Sequence, residues 1–258
     1  MPRFAANISW LFTERPLLAR AAAAAEAGFS GVESLFPYDA AAEDLRAALD
    51  AAGLPLVLIN APPGDWAAGE RGLAALPGAE ARFEAALETA LATADALGAG
   101  RIHIMAGIAE GAAARATYVA NLRRACASAP ERLFAIEPIN SRDMPGYHLS
   151  RTEDALRVIE AVGAPNLSLQ LDLYHLQIME GDLTRRIEAL GSAIGHVQIA
   201  GVPDRAEPDR GETRLDWLMA ELDRIGYAGW VGAEYRPAAR TEDGLGWLAP
   251  YSAGRGAA

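Results

Sequence analysis

Short apolar runs alternate along the whole chain with longer stretches whose apolar residues recur every three or four positions. The first pattern predicts strands over 4–9, 31–34, 54–60, 101–105, 133–137, 167–172, 194–199 and 230–234. The second predicts helices over 17–27, 41–52, 79–97, 112–127, 152–162, 183–190 and 215–225. Glycines at 28, 53, 98, 163, 191 and 226 stop several of these helices, and Thr152 with Glu153 and Asp154 gives one an acidic start. Strands separated by helices build a parallel sheet, and eight of them predict a closed (β/α)8 TIM barrel, one α/β domain over 1–258. The competing open, doubly wound sheet normally carries a glycine-rich phosphate turn after its first strand, which "ISWLFTERP" lacks. Residues 236–258 read as an arm, ordered through Trp247 and then frayed. An arm of this kind can reach a neighbouring subunit, which leaves a homo-oligomer open.

Polar residues interrupt the strands in a regular way. A strand buried on both faces should be an almost continuous apolar run, yet "SLQLDLYHLQ" alternates Ser168, Gln170 and Asp172 with Leu169, Leu171 and Leu173. In a barrel, residues two apart share a face. The leucines therefore meet the helices, and the polar residues point toward the axis. The same alternation sends His103 of "RIHIM" and Gln198 of "HVQIA" inward, and "AIEP" and "GAEY" end their strands in Glu137 and Glu234. Glu33 of "GVES" and Asn60 of "LVLIN" are expected at the same level. Active sites of this fold lie at the C-terminal ends of the strands. One such carboxylate alone is equally consistent with capping a helix or meeting an arginine. Glu137, Asp172, Gln198 and Glu234 on consecutive strands five to eight are another matter, because buried carboxylates converging on one mouth repel unless a cation compensates them. A divalent metal held by these four is expected, and oxygen donors favour Mg²⁺ or Mn²⁺. His175 reads as a hydrogen-bonding or proton-relay group above that metal; as a ligand it would raise the weight of Zn²⁺ or Co²⁺.

Composition narrows the field. Hydrophobic residues are 51% and charged residues 22% of 258, enough for a sizeable core, and the net charge of -11 disfavours nucleic-acid partners. No apolar run approaches the roughly 20 residues that span a bilayer, and "MPRFAANISW" lacks the marks of a signal peptide, so a cytoplasmic location is expected. Cys126, the single cysteine, reads as a small core residue. All 23 basic residues are arginine, and the absence of lysine excludes Schiff-base aldolase and pyridoxal phosphate chemistry.

Seven stretches between residue 5 and about 248 carry a resemblance: "ANISWLFTE", "INAPPGDWAAGERGLAALPG", "HIMAG", "IEPINSRDMPGYHL", "LQLDLYHLQIMEGDLTR", "HVQIAGVPDRAEPDRGE" and "GAEYRPAARTEDGLGWL". Together they resemble the hydroxypyruvate isomerase family of xylose-isomerase-like TIM barrels, which includes 2-oxo-tetronate isomerases. The resemblance implies that Glu137, Asp172, Gln198 and Glu234 bind the metal, that Glu137 and Glu234 are the acid/base pair, and that His175 and Arg205 lie beside the substrate. It implies a small hydroxy-oxo acid as substrate, with hydroxypyruvate and tartronate semialdehyde interconverted through an enediolate, and 2-oxo-tetronate as the alternative. Arg205 is the expected partner of the substrate carboxylate. His103, Trp66 and Tyr147 are expected to line the pocket, and "NAPPGDWAAGERG" to cover its mouth. His148 and His196 read as structural. The chain departs from the family pattern at "PDR" and "EPDRG", where Asp204 and Asp209 replace expected glycines, and at Arg236, where lysine is usual. Two other classes fit the sequence less well: a multi-zinc phosphodiester endonuclease, disfavoured by only four histidines, and a non-catalytic sugar-binding barrel, disfavoured by the presence of both Glu137 and Glu234.

Overall fold

A computed structural model describes residues 3–252. Its eight strands are β1 (Arg3–Asn7), β2 (Gly31–Ser34), β3 (Leu56–Asn60), β4 (Arg101–His103), β5 (Leu133–Ile136), β6 (Leu167–Asp172), β7 (Ile194–Ile199) and β8 (Trp230–Ala233). They form a closed barrel in sequence order, every pair parallel. Closure comes from β1 against β8, with Phe4 opposite Val231 and Ala6 opposite Ala233, which excludes the open sheet.

The helices are α1 (Leu17–Glu26), α2 (Ala42–Ala52), α3 (Glu80–Leu97), α4 (Gly111–Ser128), α5 (Thr152–Val162), α6 (Leu173–Met179), α7 (Leu183–Leu190), α8 (Leu215–Arg224) and α9 (Ala249–Ser252). Gly53, Gly98 and Gly163 close α2, α3 and α5 in the left-handed conformation that costs glycine least. The acidic start of α5 is present in Glu153 and Asp154, and Thr152 donates its N–H and hydroxyl to the carboxylate of Glu180, at 2.7 and 2.9 Å. The helix α6 is an addition that the sequence pattern did not reveal. It follows β6 without a loop, and Asp172 caps it by accepting the Tyr174 N–H at 2.8 Å.

Leu169, Leu171, Val197, Ile199 and Val231 are buried in the layer between strands and helices, as the alternation requires. The arm runs further than expected. A 3-10 stretch (Thr241–Leu248) leads into α9, and Trp247 and Tyr251 pack on Phe4 of β1 at 5.5 and 4.9 Å. The rest of the expected tail, 253–258, lies outside the described residues. Among the described residues no helix is long and apolar enough to cross a membrane.

Candidate active site

The upper interior of the barrel is polar because the inward positions of its strands are polar. Gln170 is the hub. Its Nε2 donates to Glu137 Oε2 at 3.0 Å and to Gln198 Oε1 at 2.8 Å, while Gln198 Nε2 donates to Glu33 Oε2 and Glu234 Oε2, both at 2.8 Å. A chain Glu137–Gln170–Gln198–Glu234 thus spans four consecutive strands and fixes the two glutamates relative to each other. Asn7 braces it from β1, donating to Glu234 at 2.9 Å and Glu33 at 3.3 Å.

Glu33 lies beneath this floor rather than at the mouth. Its other oxygen meets His196 Nε2 at 2.5 Å, so His196 is a structural partner inside the barrel. Gly232 on β8 makes room for it, because a Cβ at 232 would overlap the Glu33 carboxylate. Asn60 stays at the cavity, where its side-chain oxygen meets His103 Nδ1 at 3.2 Å.

Above the floor, Glu137, Asp172 and His175 each bring one ligand atom within 4.8 Å of the others, all three buried. Such a set can hold a metal ion. Asn140 sets the form of His175: its backbone N–H and its amide both approach Nδ1, at 3.3 and 2.7 Å, while its own side-chain oxygen accepts the Asp143 N–H. With Nδ1 accepting, a neutral ring carries its proton on Nε2, which lies 3.6 Å from Asp172 and 3.8 Å from Glu137. Burial holds His175 well below the ordinary histidine range, with Arg205 and His103 adding to the effect. His103 is likewise held neutral, pushed down by burial to about 3.

The carboxylates shift the other way. Burial, then Asp172 and Glu234, drives Glu137 well above the usual carboxylate range. Glu234 is pushed up to about 7, burial outweighing the opposing pull of Arg205. Asp172 is raised by burial, against Arg205 and the Tyr174 N–H. These are the shifts of carboxylates short of positive charge. Arg205 supplies the cation present, with Nη2 at 2.6 Å from Glu234 and 3.4 Å from Asp172 and its plane over Trp10 and Tyr174. The expected partner of a substrate carboxylate is therefore engaged by the site's own acids.

These groups face a cavity of about 510 Å³, lined among others by Trp66, His103, Glu137, His175, Arg205 and Glu234. Tyr147 is not in its wall; it is buried and its hydroxyl accepts the Ala106 N–H at 2.8 Å. His148 meets the Ala109 carbonyl at 3.0 Å, outside the cavity. Sequence reasoning passed over Gln170, Asn7 and Asn140 as site residues. Gln170 carried a signal, an inward polar position below Asp172; Asn140 carried none, because its contact joins the loop after β5 to His175 on α6, 35 positions away.

A family model described as xylose isomerase-like TIM barrel matches residues 21–251. The chain belongs to this family. It is 54% identical over 257 residues to the 2-oxo-tetronate isomerase of Cupriavidus necator, covering 97% of this chain and 99% of that one. It is 45% identical to the hydroxypyruvate isomerase of Escherichia coli, over 97% and 100% of the two chains. Among solved structures, one from Brucella melitensis described as an AP endonuclease, family 2, superposes with a TM-score of 0.95 at 50% identity over 97% and 99%.

Proposed function

We propose that the protein is an isomerase of short hydroxy-oxo acids, interconverting hydroxypyruvate and tartronate semialdehyde. The observation that carries this reading is the pair of buried glutamates, Glu137 and Glu234, fixed by one glutamine chain at the floor of a cavity also lined by neutral His175, with Asp172 buried 3.6 Å from that histidine. In the forward direction a proton leaves C3 and one arrives at C2, while another moves from the C3 oxygen to the C2 oxygen. Glu137 and Glu234 are the groups we assign to the two carbon centres, since a carboxylate raised toward neutrality can both accept and return a proton. His175 Nε2–H presents a donor to the substrate oxygens.

The donor set fits a divalent cation: buried carboxylate oxygens with raised pKa values that a positive charge would relieve. Glu137 and Asp172 would hold it, with Glu234 beside them in an oxygen-rich set that suits Mg²⁺ or Mn²⁺, while the oxygen of Gln198, expected as a fourth ligand, accepts the Gln170 N–H. Such an ion supplies Lewis-acid stabilisation of the negative charge that develops on the enediolate. The protein-side contribution is the placement of proton-transfer groups and the burial that excludes water.

A second reading, 2-oxo-tetronate as substrate, is favoured by the 54% identical relative of that name. One CHOH group separates the two substrates, and a cavity of about 510 Å³ admits either. The endonuclease description of the Brucella melitensis structure finds little support in these residues. Of the four histidines, His148 and His196 are committed to Ala109 and Glu33, and among the described residues a single metal-competent cluster is present.

The test is a panel of hydroxypyruvate and 2-oxo-tetronate with chelator-treated protein reloaded with Mg²⁺ or Mn²⁺. Isomerisation of at least one is expected, and turnover of neither would refute the proposal. Deuterium should enter the product from heavy water; its absence would point to a hydride shift instead.

A further inference from the structure

We infer that Arg71, not Arg205, binds the carboxylate of the substrate. This rests on the isomerase reading above, and it names the group that selects acids over uncharged hydroxy-ketones. An anionic substrate entering a cavity lined by Glu137 and Glu234, with Asp172 buried close by, needs a cation at its other end. Among the described residues three arginines line the cavity. Arg205 is spent on Glu234 and Asp172. Arg236 is exposed at the rim, its guanidinium 5.2 Å from the centre of the Trp10 ring. Arg71 is half-buried and, among the described residues, pairs with no carboxylate.

Its position is fixed in advance. The guanidinium lies 3.9 Å from the centre of the Trp66 ring, and one of its nitrogens, Nη1, donates to the carbonyls of Trp66 and Glu70 at 3.0 and 2.7 Å. That leaves the rest of the planar fork for a ligand, and a fork suits a carboxylate. The loop beneath is clamped: Glu70 takes two hydrogen bonds from Arg82, at 2.8 and 2.6 Å, and one from the Asp65 N–H at 2.5 Å. Those bonds hold the Glu70 carboxyl down to about 2, so the clamp stays charged. On the other side Gly72, with φ of +122°, pairs with Ala106 beyond β4, where a Cβ would strike the Met105 carbonyl. Ordering an arginine usually costs side-chain entropy on binding; here it is already ordered.

Topology supplies the direction. Arg71 sits in the loop after β3 and Arg205 in the loop after β7, four strands apart in a closed barrel of eight and so on opposite walls. A hydroxy-oxo acid then spans the cavity, its two reacting carbons toward β5 to β8 and its carboxylate toward β3.

The experiment compares hydroxypyruvate with dihydroxyacetone, which replaces the carboxylate by CH₂OH, in the metal-loaded enzyme. Arg71→Met, which keeps the stem on Trp66, is expected to raise the KM for hydroxypyruvate by roughly 10- to 100-fold with kcat changed much less, as loss of a charged hydrogen-bonded partner does. Any turnover of dihydroxyacetone should be unaffected. Arg82→Met, which loosens the clamp from outside the cavity, should raise the same KM by a few-fold. Calorimetry with glycerate, a non-isomerising acid of the same length, separates this inference from the isomerase reading: Arg71-dependent glycerate binding without any turnover would leave the carboxylate site standing and overturn the reaction. Unchanged hydroxypyruvate KM and glycerate affinity in Arg71→Met would overturn the inference, as would an equal loss on both substrates.

Discussion

Removing the guanidinium of Arg205 should destabilise the metal-free protein by about 3–5 kcal/mol, the range found when one partner of a buried ion pair is taken away. Arg205 lies within 3.4 Å of both Asp172 and Glu234, and its side chain is 13% exposed. At an effective dielectric near 20, a charge pair at about 4 Å is worth about 4 kcal/mol, so the two partners together contribute about 8. Desolvating the guanidinium takes back several kcal/mol, and the difference falls in the stated range. Arg205→Met keeps the apolar stem over Trp10 and Tyr174, so the loss reports on charge rather than packing. For a chain of this size each kcal/mol lowers Tm by roughly 2–4 °C, so a fall of about 10 °C is expected after chelation. Mn²⁺ should then raise Tm more in the variant than in the wild type, because the cation restores the missing charge. A fall of less than about 2 °C, or an equal Mn²⁺ effect in both proteins, would refute the view that these carboxylates need compensation.

Three further outcomes follow from other contacts. Glu137→Gln and Glu234→Gln, which keep shape and most hydrogen bonds, should each lower kcat by roughly 10²–10⁴ in the isomerase assay. Gly232→Ala should cost about 1–3 kcal/mol in urea unfolding, because its methyl group displaces the Glu33 carboxylate from His196; an unchanged midpoint would show that the floor yields freely. Burial raises the Cys126 thiol to about 11, so at pH 8 only about one molecule in a thousand carries a thiolate, and a thiol reagent should label the native protein slowly but the urea-unfolded protein at once.

The local content of the chain was legible where a short period decides it. Gln170 and Asp172 face inward because Leu169 and Leu171 must face the helices, and a period of two allows no other choice once the strand is set. Glu137 and Glu234 at strand ends, the glycine stops of α2, α3 and α5, and the closed barrel followed from the same kind of reading. The start of α5 at Thr152 with its acidic first turn was legible too, whereas the contact of Thr152 with Glu180, 28 positions away, left no signal. Tyr147 was placed in the cavity because an aromatic residue beside a loop looks available, whereas burial and the Ala106 N–H claim it.

What the sequence determined is therefore which side chains enter the barrel and at what height, since alternation along a strand is set by neighbours one and two residues away. Only the tertiary structure decided who meets whom there. α6 turns back at once after Asp172 and carries His175 to Glu137; Arg205 reaches across to Glu234 from its loop; Arg71 is held ready on the far wall by Trp66 and Glu70. Each of these depends on how separate loops settle on a closed barrel, and contacts between residues distant in sequence leave no period to read.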